Sequence, residues 1–118
     1  MVPVSRIPAL VAGVQSLARK FDLRIVTFGH AGNGNLHVNL MYDPGDASQR
    51  DRANAAMARV FALALSLGGT LSGEHGIGLA KRDFMEQAID PATLDVMRGL
   101  KRVFDPDGIL NPGKLLPD

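Results

Sequence analysis

The chain has 118 residues, about the size of one domain, and is too short to hold both a cofactor domain and a substrate domain. Its 46% hydrophobic and 21% charged residues are typical of a folded globular protein and exclude a disordered chain. The net charge of +1 is spread over mixed basic and acidic residues, which argues against a nucleic-acid-binding face.

Cysteine is absent, which excludes disulfides, a thiolate nucleophile and cysteine-based zinc or iron–sulfur sites. Any metal ligand must therefore be His, Asp, Glu or Asn. No apolar run approaches the roughly 20 residues that span a bilayer, and the first ten residues lack the pattern of a signal peptide. We expect a cytoplasmic protein with no membrane span.

The hydrophobic spacing predicts three long helices and a pair of strands. Ser5 is a candidate cap for a first helix over about 6–20, and a second helix is expected over about 48–67, ended by glycines. Strands are expected over 23–28 and 36–41. A short helix should start near Gly76 or Ile77, and Asp90 before Pro91 predicts a longer one that ends before Asp105. The tail from Gly108 to Asp118 is expected to be extended.

The two strands should form an antiparallel hairpin. Asn33-Gly34 favours a two-residue type I′ turn, which would put His30 directly opposite His37 with Cβ atoms about 5 Å apart. The next pair on that face would be Phe28 with Asn39. Two facing imidazoles suit a divalent metal of the zinc, manganese or iron type, although a histidine on a strand is commonly only a hydrogen-bonded structural residue.

A second polar cluster lies between glycines, at the expected start of the short helix. Glu74 and His75 are adjacent there, so their side chains should point in different directions, one to a metal and the other to a substrate. Histidine is the usual general base near neutral pH. The alternative is that Glu74 only favours a helix N-terminus and that His75 is an ordinary exposed residue.

Two other chemistries fit the sequence poorly. Gly32-Asn33-Gly34 opens like a dinucleotide-binding fingerprint, but His37 stands where the third glycine belongs, and no phosphate-binding Gly-Lys-Ser/Thr element is present. Ser72 would need a neighbouring base to be a nucleophile, and His75, three residues on, is a weak basis for a triad.

Three motifs together resemble the C-terminal domain of the FAD-linked oxidases. They are GHAGNGNLH at 29–37, GTLSGEHGIG at 69–78 and GILNPGK at 108–114. The resemblance is to the branch of D-lactate dehydrogenase, the glycolate oxidase flavin subunit and D-2-hydroxyglutarate dehydrogenase, within the vanillyl-alcohol oxidase type of flavoprotein. It covers nearly the whole chain. Asn33 stands where many relatives carry Asp, which keeps the turn chemistry.

The resemblance implies a role for each candidate residue. His30, His37 and Glu74 would hold a divalent metal (Zn, Mn or Fe) that binds the carboxylate and hydroxyl of a D-2-hydroxy acid. His75 would remove the hydroxyl proton as hydride passes to FAD. Asn39 would lie near the substrate, and Asn111 would approach the flavin.

The resemblance also implies an organisation. We expect residues 1–118 to be a single C-terminal domain or fragment whose FAD-binding domain or subunit is absent, with no FAD bound and no activity alone. The expected fold is α+β: an antiparallel sheet with helices on one face, as part of a ferredoxin-like substrate (cap) domain, plus a helical C-terminal region. The exposed sheet edges of such a fragment favour a homo-oligomer.

Two other classes remain open. A stand-alone metal-binding module would keep the same ligands without any redox activity. A metal-dependent hydrolase would use bound water with His75 as its base.

Overall fold

A β-hairpin packed on two helices makes up the first of two units in the chain, and the second unit is helical. The boundary lies between Gly73 and Glu74. The computed structural model describes residues 1–117. In chain order the elements are α1 (Ile7–Phe21), β1 (Arg24–His30), β2 (Asn35–Met41), α2 (Ala47–Ser66), α3 (Gly78–Arg82), α4 (Met85–Ala88) and α5 (Pro91–Phe104).

The first helix forms where the apolar spacing predicts it, but its start differs. Val4–Arg6 forms a 3₁₀ turn, in which the Arg6 N–H donates to the Pro3 carbonyl at 2.7 Å. Ser5 lies inside this turn, and α1 begins without a side-chain cap. The prediction that Ser5 caps the helix is therefore wrong. A proline in the first helical turn is tolerated there because its missing N–H would have no partner within the helix.

The hairpin has one packed face and one open face. Side chains alternate along a strand, so Ile25, Leu36 and Val38 point to the helices while Phe28 and Met41 point away. The packed face lies on a core of buried apolar residues, namely Val2, Leu10, Val14, Val60 and Ala64. Phe28 and Met41 are 53% and 52% exposed. Helices α1 and α2 of the first unit thus cover one face of the sheet, as predicted.

Helix α2 begins at a side-chain cap, packs through buried alanines and ends before a glycine. The Asp46 carboxylate accepts a hydrogen bond from the Gln49 N–H at 3.1 Å, and this bond is the main reason that the pKa of Asp46 is lowered. Ala53 and Ala56 of this helix are buried in one cluster with Leu23. The helix ends as Gly68 turns to a left-handed conformation, φ 74°.

The second unit has less regular structure. Asp90 caps α5 by accepting hydrogen bonds from the N–H and hydroxyl of Thr93, at 3.0 and 2.7 Å, which confirms the predicted Asp90-Pro91 start. The short helix expected near Gly76 begins at Gly78. Residues 110–116 form turns and bends, so the tail is not extended as predicted. Its last predicted residue, Asp118, lies outside the described residues.

The observed class is α+β, with a two-stranded antiparallel sheet and several helices, as the sequence predicted. Within residues 1–117, no helix combines the length and apolar character that crossing a bilayer requires.

Candidate metal and proton-transfer site

Two imidazoles are neighbours on the open face of the hairpin. The strands pair with Phe28 opposite His37 and His30 opposite Asn35. The predicted register, with His30 opposite His37 and Phe28 opposite Asn39, is wrong, because His30 faces a residue two positions earlier. A shift of two positions preserves the alternation of faces, so both imidazoles still share one face. Their ring centres are 6.1 Å apart.

The turn between the strands explains the difference in register. Ala31–Asn33 forms a 3₁₀ turn, and only Gly34 is left-handed, φ 71°, where a type I′ turn needs two such residues. The Gly34 carbonyl accepts from the Val2 N–H at 2.9 Å. A Cβ on Gly34 would lie 1.9 Å from the Val2 carbonyl oxygen. The N-terminal segment therefore packs closely against this longer turn, through a contact that the local Asn-Gly pattern does not encode.

The open face combines polar and aromatic groups. The Phe28 ring centre is 5.0 Å from that of His37, which limits the positions the imidazole can adopt. Asn39 follows His37 by two positions on the same strand, so it shares this face, and its side chain is exposed. His30 is exposed and His37 is half-buried. A small polar ligand can therefore reach these side chains.

Gly73 brings the second motif to the end of the hairpin. A Cβ at Gly73 would lie 2.2 Å from Oδ1 of Asn35, so only glycine allows so close an approach. Asn35 is 9% exposed and pairs with His30 across the strands. Glu74 follows Gly73 directly, and consecutive Cα atoms are about 3.8 Å apart. Glu74 is therefore the first residue after this close approach of Gly73 to Asn35.

Glu74 and His75 form a local acid–imidazole pair. Nε2 of His75 lies 3.4 Å from Oε1 of Glu74, and the two side chains are 69% and 42% exposed. They are therefore not directed apart, as their adjacency in the sequence suggested. Gly76 is left-handed, φ 73°, and turns the chain immediately after His75. A carboxylate beside an imidazole can fix the orientation of its ring.

Ser72 has no base beside it. Its hydroxyl oxygen is buried and has no hydrogen-bond partner in the part of the chain that the structure describes. A serine nucleophile needs a base within hydrogen-bond reach to take its proton. The arrangement thus gives no support to a serine triad.

The third motif carries Asn111 in a turn. The two residues before Asn111 are held by hydrogen bonds from side chains at the end of α5. Asn111 is exposed and left-handed, φ 49°. Just before it, the Asp105 carboxylate accepts from the N–H groups of Ile109 and Leu110 at 2.9 and 3.0 Å, and Lys101 Nζ donates to the Leu110 carbonyl at 2.7 Å.

Asp105 is a structural residue that the sequence analysis missed. It is 6% exposed, and the pKa of its carboxyl is lowered, mainly by the hydrogen bond from Lys101 and further by the two backbone N–H groups. The sequence contained one indication of this role. Lys101 lies four residues before Asp105 at the end of α5, and side chains at this spacing are neighbours on a helix.

The donor set fits a divalent transition metal. His30 and His37 supply two imidazoles on one face of the first unit, and Glu74 supplies a carboxylate at the start of the second unit. Imidazole nitrogen with carboxylate oxygen is a ligand combination typical of zinc, manganese and iron, and three protein ligands leave a position for water or substrate.

The sequence matches one family across almost its whole length. Residues 1–115 match the family described as FAD linked oxidases, C-terminal domain. The chain is 43% identical to the glycolate oxidase subunit GlcD of Bacillus subtilis over 114 residues, which is 97% of this chain and 24% of that protein.

Two further relatives carry other names. Identity is 40% over 116 residues to D-lactate dehydrogenase of Anaerostipes hadrus, covering 98% of this chain and 24% of the relative. It is 38% over 120 residues to D-2-hydroxyglutarate dehydrogenase of Stutzerimonas stutzeri, covering 97% and 25%. The chain thus spans about a quarter of the length of these curated relatives. Its three motifs and its match over residues 1–115 establish that the chain belongs to the family of FAD-linked oxidase C-terminal domains.

Proposed function

We propose that this chain supplies the metal ligands and the proton-transfer residue of an FAD-dependent dehydrogenase. The reaction would oxidise a D-2-hydroxy acid of the lactate, glycolate or 2-hydroxyglutarate type to the 2-oxo acid. One observation carries the proposal: two imidazoles share an accessible face of the hairpin, 6.1 Å apart, in a chain of the FAD-linked oxidase family. The names of the relatives supply the substrate class.

His30, His37 and Glu74 would be the metal ligands. The shared face of the two histidines and the one-residue step from Gly73 to Glu74 support this set. When bound, the metal would supply Lewis-acid polarisation of the substrate hydroxyl, and FAD would accept the hydride from the α-carbon.

His75 would take the proton of the substrate hydroxyl. Its side chain is 69% exposed, so a substrate can approach it, and the nearby Glu74 carboxylate can orient the ring. The α-carbon loses a hydride and the hydroxyl loses a proton, which leaves the 2-oxo acid. Asn39, on the face of His37, would donate a hydrogen bond to the substrate.

A flavin-binding partner would complete the site. We propose that Asn111 faces the flavin and that an FAD-binding domain or subunit, outside this sequence, holds the cofactor. The coverage of about a quarter of each relative supports this division. The chain alone should therefore be catalytically inactive.

Metal content is the first test. The purified untagged chain is dialysed against zinc, manganese or ferrous ions and analysed for metal beside a His30→Ala/His37→Ala variant. We expect close to one metal per parent chain and none in the variant. His75→Ala is the matched control, because it removes an imidazole that is not a proposed ligand, and it should retain the metal. Loss of metal in the control would contradict the assignment of roles.

Activity is the second test. The chain is coexpressed with an FAD-binding domain of the glycolate oxidase type, and oxidation of D-lactate, glycolate and D-2-hydroxyglutarate is measured with an artificial electron acceptor. We expect turnover of at least one acid, and loss of turnover in His75→Ala with metal retained. Hydrolysis of an ester by the chain alone would instead favour a metal-dependent hydrolase. Metal binding without turnover would favour the stand-alone binding module.

A further inference from the structure

Two turns of the second unit contain residues with a left-handed backbone conformation. The turn after His75 contains Gly76 and Gly78 with φ of 73° and 59°. The turn at Asn111 contains Asn111 and Gly113 with φ of 49° and 67°. Gly76 precedes α3 and Asn111 lies after α5, so both residues are outside the helices and side-chain hydrogen bonds can restrict their backbone.

Lys81 contacts the first of these turns. Its Nζ donates to the Gly76 carbonyl oxygen at 3.3 Å, one residue after His75. Partial burial lowers the pKa of Lys81, as is expected for an ammonium group held against the protein. Lys81 lies near the end of α3, so the helix reaches back to the turn that precedes it.

Arg82, the next residue of α3, contacts the second turn. Its Nη1 donates to the Gly113 carbonyl oxygen at 3.1 Å, across 31 positions of sequence. Its Nε donates to Oδ1 of Asp83 at 3.2 Å, which holds another edge of the same planar guanidinium. The side chain is 24% exposed. Together with the bonds of Asp105 before Asn111, this contact ties the second turn on both sides.

Consecutive helical residues project about 100° apart, so one short helix can reach two separate segments. We infer that α3 is a brace, in which Lys81 positions the His75 turn and Arg82 positions the Asn111 turn. The catalytic meaning of this inference rests on the proposed function, since that function gives His75 and Asn111 their roles. The brace itself is a property of this chain alone.

The backbone mobility of the two turns tests the brace directly in the 118-residue chain. We would measure ¹⁵N order parameters in Lys81→Met and Arg82→Gln. Lys81→Met should lower the order parameter of Gly76 from about 0.85 to below about 0.6, and should leave Gly113 unchanged. Arg82→Gln should do the reverse.

Two controls separate the brace from general loosening. Arg98→Gln removes another guanidinium, which is bonded to Asp95 within α5 at 3.2 Å, and it should leave both turns unchanged. Lys81→Arg keeps a donor on a chain of similar reach and should restore the order of Gly76. Equal loosening of both turns in either variant, or of neither turn, would overturn the brace.

Zinc affinity adds a readout that general stability would not move. Gly76 lies two residues after Glu74, so Lys81→Met should weaken zinc binding by about tenfold or more, in the range known for groups that orient metal ligands. Arg82→Gln should leave zinc affinity unchanged, and Lys81→Arg should restore it. Equal zinc affinity in Lys81→Met and the parent would overturn the positioning role of Lys81. If the parent binds no zinc, the proposed function fails, while the order parameters still decide the brace.

Discussion

The two units of the chain differ in what stabilises each of them internally. In the first unit, the buried residues Val2, Leu10, Val14 and Val60 join both helices and the N-terminal segment into one core. In the second, Met85 and Leu94 are the buried apolar residues within the described range. Helix α5 leaves Val96, Leu100, Val103 and Phe104 between 55% and 78% exposed.

The first unit, which we call the scaffold, therefore has a larger apolar core than the second unit, which is more loosely supported. The hairpin that carries His30 and His37 rests on the apolar core of the first unit, so those side chains begin from a fixed backbone. Glu74, His75 and Asn111 lie in turns of the second unit, which depend on capping groups and on charged hydrogen bonds. Regions of low local stability commonly carry binding and catalytic residues, because such residues must adjust to a ligand.

A matched pair of leucine truncations should give the largest contrast between the units. Leu10 is 3% exposed in the first unit, and Leu100 is 55% exposed in the second. Leu10→Ala should lower the free energy of unfolding by about 2–5 kcal/mol through lost burial and a cavity. Leu100→Ala should change it by less than about 0.5 kcal/mol, as is usual for surface positions. Urea denaturation followed by circular dichroism measures both, and similar losses would contradict the division.

Alanine substitutions at Gly34 and Gly32 test which contacts stabilise the hairpin turn. Gly34→Ala should cost on the order of 1–3 kcal/mol from its left-handed backbone alone, and more from the clash with the Val2 carbonyl. Gly32→Ala is the control, because a Cβ there meets nothing within 4 Å. Thermal unfolding of the two variants should differ clearly. Equal midpoints would contradict both the left-handed conformation of Gly34 and its close approach to Val2.

The sequence predicted the scaffold well because its elements depend on local patterns. The apolar stripes of α1 and α2, the Asp90-Pro91 start of α5 and the alternation of the strands are all encoded within a few residues. The shared face of His30 and His37 followed from the same alternation and survived the error in register. The register itself was missed because the turn is a longer 3₁₀ turn, packed against Val2, which is distant in sequence from Gly34.

The support of the candidate site could not be predicted for a similar reason. Gly73 reads as one of several glycines until its approach to Asn35 is known. Lys81 and Arg82 read as an ordinary basic pair at the end of a short helix. Their hydrogen bonds reach Gly76 and Gly113 in irregular turns, and no periodic pattern in a sequence encodes such turns. Motif resemblance supplied the site residues themselves, and their roles remain a prediction.

The exposed apolar side chains of α5, namely Val96, Leu100, Val103 and Phe104, should promote self-association of the chain. We propose that the chain self-associates through this apolar surface when no partner covers it. Sedimentation velocity should detect dimers or larger species as concentration rises, and Val103→Asp/Phe104→Asp should shift the distribution to monomer. Val26→Asp on the open face of the hairpin, 40% exposed in the parent, is the control from the first unit. A monomeric parent at high concentration would contradict the proposal.

Acid should loosen the second unit at Asp105 before the first unit unfolds. Hydrogen bonds from Lys101, Leu110 and Ile109 lower the pKa of the Asp105 carboxyl in the folded chain. A group with a depressed folded pKa contributes its stabilisation fully above its unfolded pKa, about 3.9 for Asp, and loses it as pH falls through the lower folded value. The amide signal of Leu110 should thus stay constant near neutral pH and move only below about pH 4.

The variant Asp105→Asn separates this titration from other acid effects. It removes the charge but keeps an acceptor oxygen, so the Leu110 signal should sit near its acid position at every pH, without a transition. The signals of Val14, in the core of the first unit, should be unchanged over the same range in both proteins. A transition of Leu110 at clearly higher pH, or one that persists in Asp105→Asn, would mean that another group controls the Asn111 turn. The turn at Asn111 would then be stabilised by a group other than the Asp105 carboxylate.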